Sequence, residues 1–298
     1  MKRYPITFAA QERKALWGRE LWLVSAHPSQ PSVVANGPYA GRSLPDLQAS
    51  FGEELTGRPG AGFPLLVKII ESRDRLSLQV HPSETTAKAS GGDPKTEMWY
   101  VLDADPGAAL FAGLQKGIGR EALSRAVREG TAEETVVRFE ARRGDVLFIP
   151  GGLVHSIGGG CRLYEVQQTS DTTWRLYDWN RVDAQTGRPR PLHVREGLDA
   201  IDWTLPPPAL RPVETCGDDP QVSCAAFRFF VRDLSGTLSL PACRTGFRIL
   251  FADAGRCTVV MDGALPVPLA GDVCALIPAG AACQVVPSDA CRLLIAEG

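Results

Sequence analysis

Apolar positions along this chain fall mostly in short runs of four to eight, separated by glycine- and proline-rich turns. Residues 63–70 (Phe-Pro-Leu-Leu-Val-Lys-Ile-Ile) form a nearly continuous apolar run that predicts a strand buried on both faces. The next run, 75–81, alternates with a period of two, setting Ser77, Gln79 and His81 on one face and Leu76, Leu78 and Val80 on the other. A polar face in an otherwise apolar sheet calls for a chemical reason. Pro82 ends that strand, 83–90 predicts a helical turn, and 95–102 predicts another strand with Lys95, Glu97 and Trp99 sharing a face. Further strands are expected at 134–139, 145–149, 156–157, 162–168 and 174–179. Helical periodicity is confined to two short segments. Ser43 caps 44–51, which has proline in its first turn and Gly52 at its close, and 119–130 carries an apolar stripe of Leu123, Ala126 and Val127. Many short strands with few helices predict a mainly β fold, an antiparallel barrel or jelly roll with short helical insertions.

The stretch from Gly144 to His155 runs as an apolar strand into Pro150-Gly151-Gly152 and places His155 at a fixed distance past the turn. It has a fainter echo in Gly271 to Cys283, which keeps the turn at Pro278-Ala279-Gly280 and carries Cys283 where His155 stood. Strands at 227–231, 247–251, 258–261 and 292–296 would complete a second, smaller barrel. The proline run Leu205-Pro206-Pro207-Pro208 reads as a stiff linker. The expected organisation is therefore a larger domain over 1–205 and a linker with a smaller barrel over 206–298.

Composition narrows the function classes. A chain of 298 residues with 44% hydrophobic content can bury a substantial core. Its net charge of -2 and pI near 6.1 give no global attraction to nucleic acid or to an anionic membrane. No apolar run approaches the length of a membrane span and the N-terminus lacks a signal-peptide pattern, so a cytoplasmic location is expected. The eight cysteines include no Cys-x-x-Cys pair and are expected to be reduced core residues. The partner expected is a small molecule; a homodimer is compatible with this composition.

Each candidate ligand taken singly has an ordinary structural reading: a histidine after a turn is commonly a packed core residue. Their joint occurrence changes this. Gln79, His81, Glu97 and His155 offer two imidazoles, a carboxylate and an amide oxygen, an N/O set suited to Zn²⁺, with Mn²⁺, Co²⁺ or Fe²⁺ as alternatives.

Gly144, Pro150, Gly152 and His155 fall at the spacing of the second cupin motif, and Gln79, His81 and Glu97 resemble the first, opened by an insertion. More narrowly, Leu78-Gln79-Val80-His81-Pro82, Lys95-Thr96-Glu97-Met98-Trp99-Tyr100, Pro150 to Ile157 and Glu165 to Arg175 resemble type I mannose-6-phosphate isomerases in their short bacterial form, as does the early stretch from Ser25 to Gly37. The resemblance spans nearly the whole chain. It implies two cupin-type jelly-roll barrels, the second without metal ligands, and one Zn²⁺ per chain held by Gln79, His81, Glu97 and His155. It further implies an aldose-ketose isomerisation of mannose 6-phosphate and fructose 6-phosphate through an enediolate. Glu165 is then the candidate base and Arg175 the group that steadies the enediolate oxygen. Ser77 and Lys95 match the end of the site that takes the phosphate, with Arg181 as a further candidate. One departure is Gly159, where generic cupins often carry asparagine.

Other readings remain open from the sequence. A cupin that binds a sugar phosphate through its metal without turning it over would have no use for Glu165 and Arg175. A metal-dependent dioxygenase on the same barrel would leave Lys95 and Arg175 idle, and a purely structural double barrel would not need polar faces at Gln79, His81 and Glu97.

Overall fold

A computed structural model describes residues 1–60, 62–183, 186–213 and 219–298. The mainly β class and its short helices are as the apolar pattern predicts. Contacts divide the chain into two compact units, one of residues 13–20 with 69–212 and the other of 1–12, 21–68 and 213–298. The boundary after Pro212 lies close to the proline run, but residues 1–12 and 21–68 group with the C-terminal strands, not with the expected 1–205 body.

The first of these units carries every candidate site residue. Five strands run in the order Trp174–Tyr177, Leu78–Val80, His155–Ile157, Ala109–Leu114, Val136–Glu140. A second sheet contains Arg211–Pro212, Asp145–Ile149, Glu97–Ala104 and Cys161–Gln168 as neighbours, paired antiparallel. Both sheets contribute to one core, with Leu110, Ala112 and Ile157 from the first meeting Trp99, Leu147, Ile149 and Leu163 from the second. The outer face of the five-stranded sheet is covered as well. Leu78, Val80, Phe111 and Leu176 pack there with Leu123 and Val127 of helix Arg120–Glu129 and Leu198 of helix Val194–Ala200. Gly197 lets the second of these helices approach, since a Cβ there would lie 2.6 Å from Leu176 Cδ2.

One facing differs from the sequence expectation. Leu78 and Val80 do share the outer face, but Leu76 packs in the inner core, because the regular strand begins only at Leu78. Leu76 instead bonds irregularly, its N–H to Ile157 O and its carbonyl accepting from Ser156 Oγ and Trp179 Nε1.

In the other unit, helix Leu44–Phe51 starts at Ser43 with a reciprocal capping box to Asp46, as the sequence predicts. Six strands, Ile6–Thr7, Cys274–Ile277, Arg248–Ala254, Cys291–Glu297, Arg228–Leu234 and Val222–Ser223, lie beside four others, Leu238–Leu240, Cys283–Pro287, Cys257–Val260 and Val267–Leu269. Leu250, Ile277 and Leu293 share a core with Val259, Val285 and Cys283. Strands of the expected 206–298 barrel thus share a sheet with the N-terminal segment. Strand Cys274–Ile277 would be an unpaired edge, and the N-terminal Ile6–Thr7 covers it, Ile6 opposite Leu276. The internal echo extends to the backbone. Gly152 and Gly280 both hold left-handed turns at φ 92° and 70°, and His155 and Cys283 each open the following strand.

Candidate metal centre

His155 pairs with Gln79 across neighbouring strands, and Arg175 pairs with Gln79 from the other side. Adjacent antiparallel residues point to the same face, so these three side chains are gathered by register alone. His81 follows Val80 at the end of the same strand. Its carbonyl accepts the Gly152 N–H at 2.7 Å, so the turn after Gln79–His81 is tied directly to the turn before His155. Gly151 makes that approach possible, since a Cβ there would stand 2.6 Å from Pro82 O and 2.7 Å from Ser83 Cα. Glu97 opens the strand of the facing sheet, where the Lys95 N–H donates to Pro82 O at 2.9 Å and the Gly151 N–H to Thr96 Oγ1 at 3.1 Å.

The result is a buried cluster of His81, Glu97 and His155, whose donor atoms all lie within 4.8 Å of one another. His81 Nε2 is 3.4 Å from Glu97 Oε2 and His155 Nε2 is 3.5 Å from Glu97 Oε1. Donors at about 2.1 Å from one ion at tetrahedral angles would be roughly this far apart. Both imidazoles are oriented by a backbone acceptor, His81 Nδ1 on Thr172 O at 2.7 Å and His155 Nδ1 on Leu153 O at 2.8 Å. With the proton on Nδ1, each ring presents a bare Nε2 to the cluster. Gln79 Nε2 lies 3.2 Å from His155 Nε2, and its Oε1 accepts from Ser77 Oγ at 3.1 Å. A half-turn of the amide exchanges the two ends and aims the oxygen at the same point.

Electrostatics suit a cation. Burial pushes His81 down to about 3, with Lys95 adding to the effect, and burial lowers His155 as well against the pull of Glu97. Both rings are therefore neutral at physiological pH. Burial alone would raise Glu97, but Lys95, His81 and His155 outweigh it and hold the carboxyl well below its usual range. Lys95 Nζ lies 2.6 Å from Glu97 Oε2 and 3.0 Å from His81 Nε2, which places an ammonium at the rim of the donor set. Donor identity, tautomer and spacing all fit a divalent metal.

Beyond the cluster, Glu165 lies opposite Trp99 in the sheet and is buried, with Trp99 Nε1 donating to its Oε2 at 2.9 Å. The Trp99 ring also meets His155 edge-on at 5.5 Å between centroids. Arg175 is half-buried and donates from Nη1 to Pro191 O at 2.8 Å. Arg181, the third phosphate candidate, is engaged by Asp178, Asp74 and the Arg75 carbonyl. Sequence reasoning missed the two carbonyls that fix the histidine tautomers, the Trp99–Glu165 bond and the Asp178–Arg190 pair described below. Backbone acceptors leave no residue-type signal, and the others need register to be seen.

The family model for phosphomannose isomerase type I, catalytic domain, matches residues 10–107. Among curated relatives, the mannose-6-phosphate isomerase of Streptococcus mutans is 32% identical over 280 residues, covering 87% of this chain and 88% of that protein. Mannose-6-phosphate isomerase ManA of Bacillus subtilis is 35% identical over 227 residues, 74% of this chain and 71% of the relative. The crystal structure of the Bacillus subtilis mannose 6-phosphate isomerase superposes with a TM-score of 0.86 at 25% identity, covering 99% of both chains. Together with the donor set of His81, Glu97 and His155, these matches establish that the chain belongs to the type I phosphomannose isomerase family.

Proposed function

We propose that this protein interconverts mannose 6-phosphate and fructose 6-phosphate, using one Zn²⁺ held by Gln79, His81, Glu97 and His155. The observation that carries the reading is the pair of imidazoles, each locked by a backbone carbonyl so that Nε2 faces the Glu97 carboxylate. A bound divalent ion supplies Lewis-acid charge where the sugar's carbonyl and hydroxyl oxygens become negative. The protein's own residues then have to move a proton from C2 of the open-chain aldose to C1.

Glu165 is the base in this reading. Its burial removes competing water, and the Trp99 indole N–H fixes one oxygen. Arg175 offers its guanidinium to the enediolate oxygen. Ser77, which donates to the Gln79 amide, and Lys95, which sits beside Glu97, supply donors to the sugar phosphate, with Arg181 contributing positive charge nearby. With Glu97 as the sole anionic ligand, the loaded centre keeps a formal charge of about +1, which favours an anionic substrate despite the chain's net charge of -2. A reducing, cytoplasmic setting suits a chain whose seven described cysteines form no disulfide with one another. No helix among the described residues is long and apolar enough to cross a membrane.

A coupled assay for fructose 6-phosphate, run before and after chelation, tests the proposal. Activity on mannose 6-phosphate should vanish with the metal and return on adding Zn²⁺. Full turnover after verified metal removal would refute the metal's role, and tight sugar-phosphate binding without turnover would favour a non-catalytic binding protein.

A further inference from the structure

The segment from Arg190 to His193 lies in the loop before helix Val194–Ala200, and it is wrapped around Arg175. His193 N–H donates to Arg175 O at 2.7 Å and Arg175 N–H to His193 Nδ1 at 3.3 Å, while Pro191 O receives Arg175 Nη1 at 2.8 Å. The first residue of the segment grips Asp178 with a two-pronged contact. Arg190 Nε donates to Asp178 Oδ2 at 2.8 Å and Nη2 to Oδ1 at 2.5 Å. Arg181 Nη2 donates to the same Oδ1 at 2.5 Å. Asp178 is only 5% exposed, so two guanidiniums take up a buried carboxylate.

This matters for Arg175, whose guanidinium has only a neutral carbonyl as its hydrogen-bond acceptor and whose buried Nε has no hydrogen-bond partner among the described residues. Burial, then the charge of Arg190, lowers its proton affinity, while Asp178 pulls the other way. A carboxylate is a stronger acceptor for guanidinium than a carbonyl, and both oxygens of Asp178 are already taken by Arg190 and Arg181. The two residues after Asp178, Trp179 and Asn180, both hold left-handed backbone at φ 58° and 54°, a region sparsely populated away from glycine. Trp179 is pinned there by its Nε1 donating to Leu76 O at 2.6 Å and by Arg75 stacked 4.4 Å from its ring.

We propose that Arg190 is a positioning residue for the isomerisation: by occupying Asp178 and anchoring the segment that holds Arg175, it keeps the Arg175 guanidinium out of a carboxylate pair and available to the substrate's anionic oxygen. The inference rests on the isomerase reading above. Its test uses the full-length, metal-loaded protein and steady-state kinetics with mannose 6-phosphate. Arg190→Met releases Asp178 Oδ2, with Arg181 still on Oδ1, and unties the segment that holds Arg175; it should lower kcat by about 10- to 100-fold with metal content unchanged. Asp178→Asn added to it removes the competing charge and should return kcat to within about threefold of wild type, a rescue that a merely structural role of Arg190 would not give. In an Arg175→Ala background, Arg190→Met should add less than about twofold, because the residue acts through Arg175. Arg190→Lys retains charge without the fork and gives a milder variant should the methionine form not fold; it should still lose about fivefold or more in kcat. Wild-type kcat in Arg190→Met or Arg190→Lys, or a loss that is undiminished in either double variant, overturns the inference while leaving the isomerase reading intact. A wild-type protein inactive on mannose 6-phosphate overturns both.

Discussion

Gly151→Ala is the sharpest test of how the two histidines are brought together. Gly151 does not hold a positive φ, so alanine meets no backbone penalty and the effect isolates the contact. The new Cβ would lie 2.6 Å from Pro82 O, where carbon–oxygen contacts normally stay beyond about 3.3 Å, so the two turns must separate by roughly 0.7 Å. Both neighbouring atoms are backbone, and no side chain can rotate away. The separation strains the Gly152 N–H bond to His81 O and the Lys95 N–H bond to Pro82 O, which hold the histidine-bearing turns in place. Overpacking of this kind costs about 1–3 kcal/mol, reduced by the roughly 0.4–1 kcal/mol that alanine gains by restricting the unfolded chain. A net loss near 1–2 kcal/mol lowers the melting temperature by roughly 2–8 °C. Metal sites tolerate ligand displacements of only about 0.2 Å, so zinc affinity should fall by about tenfold or more. Differential scanning calorimetry and a competitive zinc titration measure the two effects. Gly236→Ala, where nothing lies within 4 Å of the added carbon, serves as the control. Unchanged melting temperature and zinc affinity in Gly151→Ala would refute the claim that this glycine sets the distance between the turns.

The proposed base and the neutral histidines give two further expectations. Glu165→Gln should lower kcat by about 10² or more with metal content intact, and Trp99→Phe, which removes the indole donor that orients the carboxylate, should lower kcat by a smaller factor. Near-normal turnover in Glu165→Gln would move the base elsewhere. In metal-free protein, the folded state resists protonating His81 down to about 3 while the unfolded chain takes that proton near 6.5. Stability is therefore full above about pH 6.5 and falls by roughly 1.4 kcal/mol per pH unit below it for this group. His155 adds a loss of the same sign, and Glu97 adds one below its ordinary range. Thermal melts of the metal-free protein from pH 8 to pH 4 measure it; a flat profile would refute the assignment of buried, neutral rings.

Strand 145–149 and helices 44–51 and 120–129 were legible because their signals are local: an apolar run ended by Pro-Gly-Gly, or a capping serine or glycine before a 3.6-residue stripe. Strand Ala109–Leu114 leaves no such signal. Leu110 and Ala112 face the inner core while Ala109 and Phe111 face the helices, so both faces are apolar and the alternation disappears. Helix Val194–Ala200 was missed for a different reason. It has no side-chain cap and a glycine in its middle, and it owes its place to packing on Leu176.

The same division runs through the site. The sequence by itself determined the chemical inventory, Gln79, His81, Glu97 and His155 with Lys95, Glu165 and Arg175 beside them, because spacing and residue type are written in the chain. It also foretold the duplicated turn that left Cys283 in place of His155. Only the tertiary structure decided which nitrogen of each histidine faces Glu97, because Thr172 and Leu153 act through backbone carbonyls that any residue possesses. It likewise decided that Ile6–Thr7 completes the C-terminal sheet and that Asp178 belongs to Arg181 and Arg190, leaving Arg175 unclaimed by that carboxylate. Those are questions of competition among partners brought together by folding, and a linear sequence ranks the partners without saying which of them meet.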